Sequence, residues 1–69
     1  MLNEFTVIYL HNDQKEQEKA KLGSGISFEY SVKAKDSYEA KSKAFLLFQS
    51  ENPDLNINDY SQGVSEYRG

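Results

Sequence analysis

Few residues in this chain have the types and spacing that chemistry needs. His11 is the single histidine among 69 residues that include no cysteine. It stands beside Asn12 and Asp13, so an imidazole base oriented by a neighbouring carboxylate is the first arrangement to weigh. Positions two apart on a strand share a face, which allows that pairing without making it distinctive. A solvated histidine at a strand end accounts for the same residues. One histidine and scattered carboxylates do not make the clustered donor set of a zinc site. Asp54, Asn56, Asn58 and Tyr60 alternate as the ligands of a calcium loop do. Yet Asp59 holds the sixth position, where the loop needs glycine, and Ser65 the twelfth, where it needs glutamate. Gly23-Ser24-Gly25 leads into a strand and lacks the Lys-Ser/Thr ending of a phosphate-binding loop. The reading is of a non-enzyme, with no catalytic, cofactor-binding or metal-binding residues assigned.

The elements that would position any site are clearer. Ile26, Phe28, Tyr30, Val32 and Ala34 alternate with Ser27, Glu29, Ser31, Lys33 and Lys35, the pattern of a half-buried strand. At Asp36 the period changes from 2 to 3.6, and the spacing Asp36-x-x-Glu39 is that of a capping box. The helix that follows, Ser37 to about Glu51, carries Ala40, Ala44, Leu47 and Phe48 on one stripe with Phe45 at its edge. Lys41 falls between Phe45 and Phe48, its stem able to pack while its ammonium reaches water. Leu46 projects on the opposite, polar side and is a candidate contact residue. Asn52-Pro53-Asp54 ends the helix.

Upstream, Asn3 to His11 reads as a strand in which Phe5, Val7 and Tyr9 share one face and Ile8 and Leu10 the other, which suits a central position. Residues 12–25 read as a flexible charged loop, in which Asp13-Gln14-Lys15-Glu16 is a possible helix start and only Ala20 and Leu22 could face a core. Leu55, Ile57, Tyr60, Val64 and Tyr67 mark a last strand, with Gly63 a bulge or break. The expected architecture is therefore a single α+β domain over 1–69, built β-β-α-β. Its three-stranded, mainly antiparallel sheet has the order 2-1-3, with one helix packed on one face.

A chain this short buries only roughly 60% of its unfolded surface, so help from a partner subunit, such as a homodimer, is expected. No apolar run approaches the roughly 20 residues of a membrane span, and the start Met1-Leu2-Asn3-Glu4 lacks the marks of a signal peptide. A cytoplasmic protein without membrane contact is the default. The net charge is −3. It arises wholly after residue 43, where Glu51, Asp54, Asp59 and Glu66 face only Arg68. That balance argues against a phosphate-backbone binder. Five tyrosines and four phenylalanines invite base stacking on the sheet, but Phe28 and Tyr30 are also what a helix-covered core requires.

The run Tyr30-Ser31-Val32-Lys33-Ala34, followed after the cap by Glu39-Ala40-Lys41-Ser42-Lys43-Ala44, resembles a pattern found in many small bacterial and phage proteins. There a Tyr-x-Val-x-Ala strand leads into Glu-Ala-x-x-x-Ala on a helix. It is similar to the strand-into-helix portion of small antitoxin-type domains, whose Pro- and Gly-containing turn this chain lacks. In size and charge the chain is similar to phage-encoded inhibitors of host defences, anti-CRISPR proteins included. The lack of a catalytic constellation, the small core and the contact surface offered by Leu46, the second face of β1 and the acidic tail point to an interaction module. The likenesses imply a phage or mobile-element accessory protein that inhibits a larger host protein or complex by occluding its surface. The alternative is a small protein that binds nucleic acid or mimics its charge. The expected contact residues are Leu46, Ile8 and Leu10, together with Glu51, Asp54, Asp59, Tyr60, Glu66 and Tyr67 of the acidic segment.

Overall fold

The computed structural model describes residues 2–19 and 25–67, Tyr67 by its backbone alone. Strand β1 (Asn3–His11) lies between β2 (Ile26–Ala34) and β3 (Tyr60–Tyr67), antiparallel to both, so the order is 2-1-3. The central strand has its Phe5, Val7 and Tyr9 face closed to solvent, at 3% exposure or less. Helix α2 (Ser37–Glu51) covers that face, completing the expected α+β fold.

The local grammar between β2 and α2 works as the sequence requires. The Asp36 carboxylate accepts from the Glu39 amide at 2.8 Å, which satisfies one of the orphan donors of the first turn. Glu39 reaches back to the Lys35 amide at 3.4 Å and pairs with Lys43 one turn on at 3.3 Å. At the other end the Asn52 amide closes on the Phe48 carbonyl, and Pro53 stops the ladder. Ala40 and Ala44, both fully buried, let the helix approach the sheet closely. Phe48 then inserts among Tyr9, Phe28 and Tyr60, its ring centroid 4.8, 5.1 and 5.3 Å from theirs. Tilted and edge-on geometries of this kind add to what burial alone contributes.

Four expectations change. Leu47 is 42% exposed and does not belong to the buried stripe. It lies in the row Lys43-Leu47-Glu51, spaced by one turn, whose outer members reach β2: Lys43 Nζ donates to the Lys33 carbonyl, and Tyr30 donates to Glu51 at 3.1 Å. Because β2 is an edge strand, that row overhangs the sheet, and among the described residues Leu47 is left partly open to solvent. Second, the sheet register shifts between Tyr9, which faces Phe28, and Leu10, which faces Ile26. The shift sets Ile26 opposite Leu10 on the side away from the helix, out of step with Phe28 and Tyr30.

Third, a short helix α1 (Gln14–Glu18) stands in the region expected to be loop. Two tethers offset its shortness and its lack of a buried face: Asp13 caps the Lys15 amide at 2.9 Å, and Gln17 Nε2 donates to the His11 carbonyl at 2.6 Å. Gly25, at φ +77°, turns the chain into β2 against the Gln17 side chain, a conformation that glycine adopts without strain. Gly23, Ser24, Ala20 and Leu22 lie outside the described residues. Fourth, β3 begins at Tyr60, not at Leu55, and runs through Gly63, paired with Ile8, without the expected bulge or break. Asn56 accepts from the Asn58 amide at 3.0 Å and opens a 3-10 turn over Ile57–Asp59. Asparagine side chains compete in this way with strand pairing.

Candidate functional site

Helix α2 sits toward the β2 side of the sheet, so the core face over β3 is only partly roofed. The result is an open groove of about 400 Å³ between α2 and β3. Its floor is Tyr9, Tyr60 and Gln62, and its helix wall is Lys41, Ser42, Phe45 and Leu46, with Ile57 closing one end. The wall follows from helix spacing. Lys41 and Phe45 form the row next to the buried Ala40-Ala44-Phe48 row, on the β3 side. Leu46, 64% exposed, stands at the rim.

Polar groups inside the groove are fixed in place. Gln62 Nε2 donates to the Tyr9 hydroxyl at 2.6 Å, which orients the one polar atom of an otherwise buried ring. Ser42 is turned back to the Tyr38 carbonyl at 3.2 Å, leaving Lys41 to supply the cationic rim. Burial raises the Tyr9 phenol, a shift that the Gln62 bond partly opposes. Tyr60 is raised by burial first, then by the Asp59 and Glu16 carboxylates. On the far side of the helix Tyr30 is pushed up to about 12, by burial and then by Glu51.

These three phenols give a pH dependence whose sign is fixed. Each folded value lies above the ordinary 10.0, so the folded state holds its protons more tightly than the unfolded chain. Their contribution is complete below pH 10.0 and is lost as pH rises through the folded values, about 12 for Tyr30. Thermal midpoints are expected to fall on alkaline titration beyond the ordinary phenol range, and Tyr30→Phe to flatten that fall. A midpoint unchanged through that range would contradict the placement of these rings.

The expected contact residues do not form one surface. Leu46 and Tyr60 line the groove, Tyr60 with its ring half-buried against Phe28, Phe48 and His11. Asp54 borders a second hollow with Phe45, Leu55 and Ile57, next along the same helix wall. Asp59 ends the 3-10 turn, and its carbonyl accepts from the Asn12 amide at 2.8 Å. Ile8 and Leu10 are half-buried on the opposite face of the sheet, and Glu51 sits over the β2 edge on Tyr30. Glu66 is exposed opposite Phe5, and Tyr67 ends β3. The groove residues that the sequence reading passed over are Tyr9, Lys41, Ser42, Ile57 and Gln62. Phe45 lies at the stripe's edge, and the Lys41–Phe45 spacing beside the alanine row is the signal for a second, unroofed wall.

His11 is not oriented by the carboxylate beside it. Its Nδ1 accepts from the Asp13 amide at 3.0 Å, while the Asp13 carboxylate is spent on capping α1. Phe28 and Tyr30 pack against the core on the helix-covered face. Among the described residues, no three metal-ligating side chains cluster, and no helix is long and apolar enough to cross a membrane. Compared with family models, with curated proteins and with solved structures, the chain matches none.

Proposed function

We propose that the protein is a non-enzymatic interaction module that holds a larger protein or complex through the α2–β3 groove, and that it inhibits that partner by occluding its surface. The observation that carries this reading is the coincidence of the groove with the exposed Leu46. An apolar cavity of about 400 Å³, rimmed by Leu46 and Lys41, matches what a buried anchor side chain of a partner protein requires. The rings that could have stacked bases lie beneath the helix, and the charge balance is acidic, so protein is the favoured partner over nucleic acid.

Affinity capture with the intact chain tests the class of partner. The expected result is a stoichiometric protein that resists nuclease and moderate salt. Recovery of nucleic acid with steep salt dependence, and no stoichiometric protein, would overturn the proposal. Leu46→Glu is expected to leave the melting curve within about 0.5 kcal/mol of the parent, as an exposed substitution does, and to weaken capture. A large loss of stability in that variant would show that Leu46 is a core residue.

A further inference from the structure

The two edges of the sheet are treated differently. Antiparallel ladders alternate, so every second residue turns its backbone N–H and C=O to the neighbouring strand and the residues between turn theirs outward. The bond from the Asn12 amide to the Asp59 carbonyl fixes the phase for β1 and β3, whose register pairs His11 with Tyr60 and Val7 with Val64. Residues 59, 61, 63 and 65 therefore bond inward to β1, and Gln62 and Val64 direct both backbone groups to the other edge, where the Tyr60 amide is already taken by the Ile57 carbonyl. On the other side the same phase turns Lys33 outward from β2. There the Lys43 ammonium takes the Lys33 carbonyl, and Glu29 and Lys33 add charges to the edge. Lysines and charged side chains are the usual means of blunting a sheet edge against pairing. Strand β3, Tyr60–Tyr67, has no lysine, arginine or proline, and its single charged residue, Glu66, stands next to its end.

We propose that β3 pairs antiparallel with β3 of a second copy, in the register that sets Gly63 opposite Gly63, joining two sheets edge to edge. Four features of the strand select that register. Directly opposed residues share a face, so Tyr60, Gln62, Val64 and Glu66 must meet one another if both helices are to lie on the same side. With Gly63 on the two-fold axis, Gln62 faces Val64 and Tyr60 faces Glu66. Gln62 and Val64 turn both backbone groups outward, giving about four inter-strand bonds at the centre of the pairing. Glu66 meets a tyrosine and not its own copy, so no like charges oppose each other. Gly63 falls at a non-hydrogen-bonded pair, where backbones come closest, and its missing side chain is already required by Ile8, whose Cγ1 would stand 3.3 Å from a Cβ there. In this arrangement the two α2–β3 grooves lie on one face, flanking the axis. The proposal stands independently of which protein the grooves hold.

Ser61 faces Ser65 of the other copy on the side away from the helices, and both are exposed in the single chain. This gives a paired test in which folding is held constant. S61K/S65K sets like charges opposite each other across the interface, whereas S61K/S65E sets opposite charges there; both lose the Ser61 bond to Asn12 equally. Sedimentation of the full chain is expected to show a dimer of the parent and of S61K/S65E, and self-association of S61K/S65K weaker by on the order of tenfold. Amide exchange provides the second readout: Gln62 and Val64 are expected to gain protection as concentration rises, while the inward-facing amides of Gly63 and Ser65 are protected throughout. Equal association of the two double variants, or a parent that stays monomeric with Gln62 and Val64 exchanging freely at every concentration, would overturn the proposal.

Discussion

Phe48→Ala is expected to cost about 3–5 kcal/mol, the range for emptying a fully buried aromatic site. Phe48 is 1% exposed and touches three other rings, one from each strand of the sheet. No neighbour is free to fill the space: Ala44 is one turn away on the same row, and Tyr9 is held by Gln62. A domain of this length has a total stability of about 3–10 kcal/mol, so the variant should be largely unfolded in urea that leaves the parent native. A near-parental melting curve would mean that the four-ring cluster does not hold helix to sheet.

Ala44→Leu is the second large effect, in the opposite steric sense. Ala44 is fully buried where α2 crosses the sheet, and a branched side chain there must either push the helix away or distort its neighbours. Overpacking of this kind costs about 1–3 kcal/mol, and for so small a domain each kcal/mol lowers the thermal midpoint by roughly 4–8 °C. The displacement would widen the groove, because Phe45 and Leu46 ride on the same helix. Loss of partner binding in proportion to the fall in midpoint is the expected pattern. An unchanged midpoint would show that the helix–sheet spacing is not set by its alanines.

Most of the architecture was legible because periodicity and capping agreed. The alternation from Ile26 to Ala34, the Asp36 cap and the alanine row defined the strand, the turn and the helix with little ambiguity. The two-faced pattern of β1 placed that strand in the middle. What failed to show were features that hydrophobic periodicity does not report. Gln17 reaches the His11 carbonyl and makes a helix of a segment too short and polar to form one alone. Asn56 diverts a strand-like alternation into a 3-10 turn. Leu47 has the right helical phase to be buried but overhangs an edge strand, which no local pattern reports. The candidate site was half visible: Leu46 stood out as an apolar residue on a polar face. The groove beneath it depends on where the helix comes to rest over the sheet, and that is set by tertiary packing.

The adjacent leucines of α2 offer the most direct test of the groove as the contact surface. Leu46 rims the cavity beside β3, and Leu47, also exposed, lies in the row over β2. Binding of the captured partner should be measured for Leu46→Glu and Leu47→Glu side by side, with both variants shown to be folded by their melting curves. The predicted result is a loss of affinity of at least roughly tenfold, about 1.4 kcal/mol, for Leu46→Glu and near-parental affinity for Leu47→Glu. Equal losses in the two variants, or parental affinity for Leu46→Glu, would contradict it.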